Sequence, residues 1–441
     1  MIHDAVVIGA GLSGLVCAQR LSEAGARVLV LEARGRVGGR LWTGQVGEAT
    51  VDLGGQWLSV DQPRLAALAA ALDVRSAPQP REGRAVLEDG RGVFAQLATG
   101  IAQWRAAHRI TRLARTIPPG APAAARDAAT LDALALGPWL AGTIDNAVAR
   151  ERIAMHAELV FAADPAGLSL LGYLARLGAT GGFAPRGPDL PGGGRDHRFV
   201  GGAQGLALRL AEALGDAVRL DTPVQAIERD GEALVVRCTD ERHLARHVVL
   251  AVPPTLAVQL APPLPEPILR LGATLRRGSV VKCFAAYGRA FWRAAGLSGE
   301  AYRPRGTVRA VVDVSPPDLV APVLLAFVVG DAAEAWQSRD PFERRAEVLA
   351  TLTELFGEPA SRPLAYLEAD WAADPWSAGC VVGTPPGALV EGAVWRGSFD
   401  RIHLAGAEAA VRWPGYMEGA IEAAERAAAA VLAAPGAEAA P

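Results

Sequence analysis

At 441 residues, with 51% apolar side chains, the chain has room for two domains and a large buried core. A net charge of −3 gives no electrostatic case for nucleic acid or an anionic membrane as partner, and no run of about 18 uncharged apolar residues offers a membrane anchor. No signal peptide precedes the first predicted strand, so a soluble, cytoplasmic protein is expected. Asp4 to Ile8 reads as a short buried strand. Gly9-Ala-Gly11-Leu-Ser13-Gly14 is a G-x-G-x-x-G turn, Leu15 to Gly25 has helical apolar spacing, and Arg27 to Leu31 is a second strand closed by Glu32. This is a βαβ unit with an acid about 20 residues past the glycines. Gly9 allows a tight turn, Gly11 lets backbone approach a pyrophosphate, and Gly14 lets helix pack on strand. The helix N-terminus offers unpaired N–H groups to phosphate, and Glu32 can accept from a ribose diol. The pattern predicts dinucleotide binding, the alternative being a plain glycine-rich strand–helix turn.

Ala33 to Arg40 adds Gly35, Gly38 and Gly39 with Arg34, Arg36 and Arg40 directly after the acid. A second glycine turn with cations suits a cofactor longer than NAD. Val6 to Leu15 followed by Leu31 to Arg40 resembles the N-terminus of the FAD-containing amine oxidases, a family that includes monoamine, putrescine, polyamine and L-amino-acid oxidases. The resemblance implies FAD as cofactor, with contacts at Gly9, Gly11, Ser13, Gly14, Glu32, Arg34, Gly39 and Arg40. It also implies an α/β fold: a Rossmann-like, glutathione-reductase-type FAD-binding domain with an interleaved α+β substrate-binding domain. The expected division is 1–77, 199–275 and 374–435 for the cofactor, 78–198 and 276–373 for the substrate, and a tail at 436–441.

Further along, Gly54-Gly55-Gln56-Trp57 lets backbone lie flat against something planar, and the resemblance places Gly55, Gln56 and Trp57 beside the flavin ring. Helical patterns follow at Val93 to Thr116, Leu131 to Ala141 and Asn146 to Ala163, with breaks at Pro118-Pro119-Gly120 and from Pro185 to Gly194. The apolar run Leu168 to Leu177 is expected on the pocket wall, plain core being equally open. After Gly201-Gly202 come a helix from Leu206 to Leu214 and strands at 218–220, 223–227, 233–238 and 247–252, expected as a small sheet over the cofactor half. By resemblance Val224 contacts the adenine through backbone groups. His243 and His247 are spaced i, i+4 but lead into a strand, and none of the four cysteines is paired as C-x-x-C, so no metal is expected.

Val280-Val281-Lys282-Cys283 alternates as a strand, and a lysine there is unusual because burying an ammonium costs several kcal/mol unless it is paired. An edge strand facing water is the bland alternative. The resemblance gives Lys282 the task of holding a water against flavin N5 and assisting reaction with oxygen. Strands at 308–314 and 323–330 and a helix at 341–356 follow, and Ala310 stands near where monoamine oxidases carry an aromatic gate, implying an open entrance.

Trp371, Trp376, Cys380, Gly406, Glu408 and Trp413-Pro-Gly-Tyr416-Met417 occur in the order found at the end of monoamine oxidases, and the resemblance makes each of Trp371, Cys380, Gly406, Glu408, Tyr416 and Met417 a cofactor contact. Cys380 matches the cysteine joined to the flavin 8α-carbon, a free buried thiol being the alternative. Val381 stands where the family has an aromatic, so Tyr416 keeps only half of the ring pair that flanks the amine, unless Trp376 or Trp413 substitutes. The helix opening at Tyr416 would stabilise negative charge at N1 and the C2 carbonyl. The implied reaction is oxidation of an amine C–N bond with oxygen as acceptor, giving imine, then aldehyde, and hydrogen peroxide. Lys282, Tyr416 and Trp376 are its expected catalytic groups. Alternatives are an L-amino-acid oxidase using Arg176 or Arg195 for the carboxylate, a polyamine oxidase, a biosynthetic flavoenzyme for a bulky metabolite, and a flavoprotein without turnover. The choice between monomer and homodimer stays open.

Overall fold

The computed structural model describes residues 2–87, 93–182, 195–317, 320–389 and 394–434. The break expected from Pro185 to Gly194 and the tail from 436 lie outside them. An eight-stranded sheet forms the first layer, in the order Val224–Asp230, Ala233–Cys238, Arg242–Leu250, Ile2–Ile8, Val28–Leu31 and Val218–Arg219, with the hairpin Gly397–Phe399 and Ile402–Leu404 joined through Val248–Leu250. Ile2–Ile8 lies at its centre, parallel to both neighbours, with Val6 opposite Val248 on one side and Leu29 on the other. A strand covered on both faces needs apolar residues at successive positions, which Ala5-Val-Val-Ile8 supplies. Ala5 and Val7 enter the core with helices Leu12–Glu23, Gln204–Leu214 and Met417–Leu432, while Val6 and Ile8 enter the opposite core with the helical segment 106–177.

The strands from 224 to 250 do not form a separate small sheet. Arg242–Leu250 begins five residues before the expected strand; its first half is antiparallel to Ala233–Cys238, and from Leu244 to Leu250 it lies parallel to Ile2–Ile8. One long strand therefore welds the hairpins onto the central sheet. The expected helix Leu131 to Ala141 is also broken, into Ala128–Ala133 and Leu136–Thr143. The buried Asp132 carboxylate accepts from Ser169 Oγ (2.6 Å) and from the Leu389 N–H (2.7 Å), and the Leu170 N–H donates to the Leu134 carbonyl (2.9 Å). These long-range bonds outweigh the local helical preference.

The second sheet runs Ala365–Asp370, Val280–Ala286, Val323–Val329, Val308–Asp313, Leu297–Tyr302 and Arg84–Leu87. Val280–Ala286 is buried at every position between two partners, so Lys282 is on an inner strand and not on an edge. Cys283, on its opposite face, is core. Among the described residues, no helix is long and apolar enough to cross a membrane.

Candidate active site

Gly9, Glu32 and Ala251 follow the carboxyl ends of three adjacent parallel strands and line one end of a cavity that runs on to the second sheet. This is where an open α/β sheet offers a ligand crevice. Helix Leu12–Glu23 starts at Gly11 with no side-chain cap, leaving its first N–H groups open toward that crevice. Close approach of helix and turn depends on Gly14, where a Cβ would lie 2.0 Å from the Gly9 carbonyl oxygen. Glu32 is fixed by the Ala10 N–H to Oε2 (2.8 Å) and the Arg34 N–H to Oε1 (3.0 Å). Arg34 in turn binds Asp374 (2.5 Å) and Ser377 Oγ (2.7 Å), drawing the segment with Trp376 and Ser377 over this end of the cavity.

Toward the second sheet, Lys282 lies 4% exposed on the cavity wall. Its Nζ donates to the Asp52 carbonyl (2.7 Å), the Gly54 carbonyl (2.7 Å) and Gln56 Oε1 (3.2 Å). Three acceptors hold the ammonium. Burial nevertheless pushes its pKa down from 10.5 to about 8, against the pull of Asp52 and Cys380. The Lys282 bonds hold the Gly54–Gln56 segment on the wall, and Trp371 helps through Nε1 to the Leu53 carbonyl (2.8 Å). Arg40 donates to Glu408 (2.6 Å) and to the Cys380 carbonyl (2.7 Å), tying the second glycine turn to the C-terminal segment. Burial pushes the Cys380 thiol up, while Arg40, Lys282 and Arg176 pull the other way. Helix Met417–Leu432 opens at Tyr416 without a side-chain cap, and Tyr416 and Met417 both line the cavity.

The remaining wall is formed by His156, Leu159, Ala310, Phe327, Arg176 and Arg195, among others. The expected apolar wall from Leu168 to Leu177 is mostly core. Leu170, Leu171, Leu174 and Leu177 of helix Leu170–Ala179 face the interior, and the residue of that run lining the cavity is Arg176. It is 8% exposed and its guanidinium lies over the rings of Tyr416 (5.1 Å) and Phe161 (5.3 Å). No hydrogen-bond acceptor or carboxylate contacts it among the described residues, and its Nε is buried without a partner. Gly415, at φ +77°, makes room: a Cβ there would stand 2.9 Å from Arg176 Nη1.

The flavin containing amine oxidoreductase profile matches residues 12–432. The AofH protein of Mycobacterium tuberculosis is 34% identical, with 98% of this chain and 96% of that protein covered. An L-amino acid dehydrogenase of Synechocystis is 31% identical over 97% of this chain and 94% of its own length. Putrescine oxidase bound to putrescine superposes with a TM-score of 0.92 at 31% identity, covering 98% of this chain and all of that one. The chain belongs to the flavin-containing amine oxidoreductase family. It is an oxidoreductase with the family's mixed α/β fold, and FAD is the cofactor the family implies.

The residues present fit an amine oxidoreductase's FAD. Uncapped helix N-termini lie at Gly11 and Tyr416, the Glu32 carboxylate lines the cavity bonded to the Ala10 N–H, and a backbone cradle at Gly54–Gly55 admits no side chain at Gly54, where a Cβ would sit 2.0 Å from the Arg40 carbonyl oxygen. Gly9, Gly11, Ser13, Glu32, Arg34, Gly39, Arg40, Gly55, Gln56, Trp57, Lys282, Trp371, Trp376, Cys380, Tyr416 and Met417 all line the cavity. Four expected contacts stand outside it. Gly14 acts through packing, and Glu408 acts through Arg40. Gly406 packs against the Val252 carbonyl, and Val224 sits in the outermost hairpin while Val252 and Pro253 take the lining position. Trp376 is 41% exposed and its N–H bonds to Asp374, the carboxylate held by Arg34; it makes no ring contact with Tyr416. The ring that touches Tyr416 is Trp413, edge-on at 5.1 Å and buried behind it. Neither tryptophan completes a ring pair. Val381 lines the cavity where the family's second ring is expected. His156 was not foreseen: its helical run carries no motif, and only packing of the 147–161 helix against the cavity brings it there.

Proposed function

We propose that this amine oxidoreductase oxidises an amine that carries a carboxylate, an α-amino acid, with dioxygen as acceptor. The observation that carries this reading is the buried Arg176 guanidinium, without an anion among the described residues, on the cavity wall over Tyr416. An unpaired buried charge costs several kcal/mol, and a substrate carboxylate removes that cost while bringing its α-carbon to the Tyr416 end of the cavity. A guanidinium there opposes a substrate that is only cationic. A polyamine needs an anion for its second ammonium, and among the described residues no Asp or Glu lines the part of the cavity that holds Arg176 and Arg195.

FAD, when bound, supplies the two-electron acceptor for the amine C–H bond and passes the electrons to dioxygen. The chain's own residues do the rest. Arg176 orients the carboxylate, and the face of Tyr416 flanks the amine nitrogen. Phe327, Leu159 and Val381 keep bulk water from the α-carbon. The helix N-terminus at Tyr416 would offer N–H groups to negative charge on the bound cofactor, and Lys282 would present a cation from the cavity wall. The balanced reaction converts amino acid, O2 and water to 2-oxo acid, ammonium and H2O2.

A peroxide assay on L-amino acids and their decarboxylated counterparts tests the reading. Phenylalanine should exceed phenethylamine by about 100-fold in kcat/KM, the range expected when a buried guanidinium loses its anion. Arg176→Met should erase that preference. Equal or faster oxidation of the simple amines overturns the carboxylate reading and leaves a monoamine oxidase. We further propose that Cys380 holds FAD through a thioether, supported by its place on the cavity wall beside Arg40. After acid precipitation the yellow colour should stay with the pellet and leave it in Cys380→Ala; colour in the wild-type supernatant overturns the tether.

A further inference from the structure

A second guanidinium remains once Arg176 is matched to the α-carboxylate. Arg195 also lines the cavity, its guanidinium 5.2 Å over the ring of Trp57. It is held from behind: Nη2 donates to the Tyr302 hydroxyl (3.3 Å), and that hydroxyl lies 3.5 Å from Glu300 Oε2. The other N–H groups of Arg195 have no acceptor among the described residues. Trp57 is itself fixed, through Nε1 to Gln79 Oε1 (3.0 Å), and Gln79 donates to the Asp313 carbonyl (2.6 Å), so the platform under Arg195 is rigid.

Among the described residues the charged side chains lining this part of the cavity are Arg176, Arg195 and Lys282, and Glu300, off the lining, reaches Arg195 through the Tyr302 hydroxyl. Glu300 orients Arg195 without closing off its cavity-facing donors. A neutral amino acid brings a single carboxylate and satisfies one guanidinium. A substrate with a second anion satisfies both, and a planar, bidentate donor is the group suited to a carboxylate. Ala310 adds room on the same wall.

We propose that Arg195 is a specificity-determining residue that binds a second carboxylate, making an amino-dicarboxylate the preferred substrate class. The inference rests on the reading of Arg176 as the α-carboxylate site. Charge is separated from size by comparing L-glutamate with L-glutamine and L-aspartate with L-asparagine, pairs of nearly equal shape. In the wild-type holoenzyme the acid of at least one pair should exceed its amide by about 30-fold in kcat/KM, the lower end of what one desolvated charge pair is worth. Arg195→Gln should bring that ratio to within about 3-fold, the acid losing far more than its amide or L-leucine, and Arg195→Lys should restore part of it. A purely structural role would lower all substrates together and leave the ratio intact, which would overturn the proposal. So would an amide used as well as its acid by the wild type.

Binding of unreactive acids, followed by perturbation of the flavin absorption band, gives a readout without turnover. Glutarate should bind more tightly than butyrate, and Arg195→Gln should remove the difference. If no amino acid is oxidised but this difference is present and sensitive to Arg195, the carboxylated-amine reading fails while the dianion site stands. If amino acids are oxidised and glutarate binds no better than butyrate, the Arg195 proposal fails alone.

Discussion

Lys282→Met slows reaction with dioxygen by about 100-fold or more, with reduction by substrate changed far less, the size expected when a preorganised charge is removed from a dry site. Stopped-flow mixing of substrate-reduced enzyme with oxygenated buffer measures the first, and anaerobic mixing the second. The pH dependence follows from the lysine's surroundings. Burial favours its neutral form, so the cation is present below about pH 8 and lost above it. The oxygen step in the wild type should therefore fall as pH rises through about 8, and in Lys282→Met it should be flat. Stability has the opposite sign. The folded pKa lies below the ordinary 10.5, so the unfolded chain holds the extra proton between those values, and wild-type stability should rise with pH across that window relative to the methionine variant. Equal slowing of both half-reactions would remove the role in oxygen chemistry. It would leave Lys282 as the post that its bonds to Asp52, Gly54 and Gln56 already make it, holding the Gly54–Gln56 segment against the wall.

Gly14→Ala should give protein that purifies without colour and does not take up FAD in titrations followed by flavin fluorescence. Its methyl group would stand 2.0 Å from the Gly9 carbonyl oxygen and 3.2 Å from the Ala251 Cβ, in a place where backbone and not a flexible side chain must move. Helix Leu12–Glu23 is then lifted from the turn, and its open N–H groups leave the position from which they meet a pyrophosphate. Overpacking of this kind costs about 1–3 kcal/mol. The melting temperature should fall, and adding FAD should not restore it. Wild-type FAD content in Gly14→Ala would refute the close-packing argument.

Where a motif is local, the residues alone announced the geometry. Gly9 to Gly14, Glu32 and the arginines after it all fall within residues 9–40, and their turn, helix and strand chemistry acts over short stretches of chain. The lysine in the strand Val280–Ala286 was legible as an anomaly because an ammonium among strand residues needs a reason. The helices Val93–Ala114 and Pro341–Phe356 followed from periodicity. Other features were hidden because their causes are distant in sequence. The break at Leu134 comes from Asp132 binding Ser169 and Leu389. Trp376 was a candidate ring partner for Tyr416 until the Arg34–Asp374 bond drew its segment to the other end of the cavity.

Arg176 shows the same division within one helix. Its apolar neighbours made Leu170–Ala179 readable as a buried helix, since burial of leucines follows from their spacing. A single arginine in that run could equally have reached solvent, because a long side chain carries its charge to whatever surface is near. Short-range backbone chemistry in the sequence thus announced a dinucleotide-binding βαβ unit, and the resemblance carried by its motifs supplied FAD, the family and the α/β scaffold. Tertiary packing decided the charge of the substrate chamber. It did so by bringing residues 156, 176, 195, 282 and 416 to one cavity and leaving the Arg176 guanidinium without a carboxylate among the described residues, which is the basis of the proposed carboxylate site.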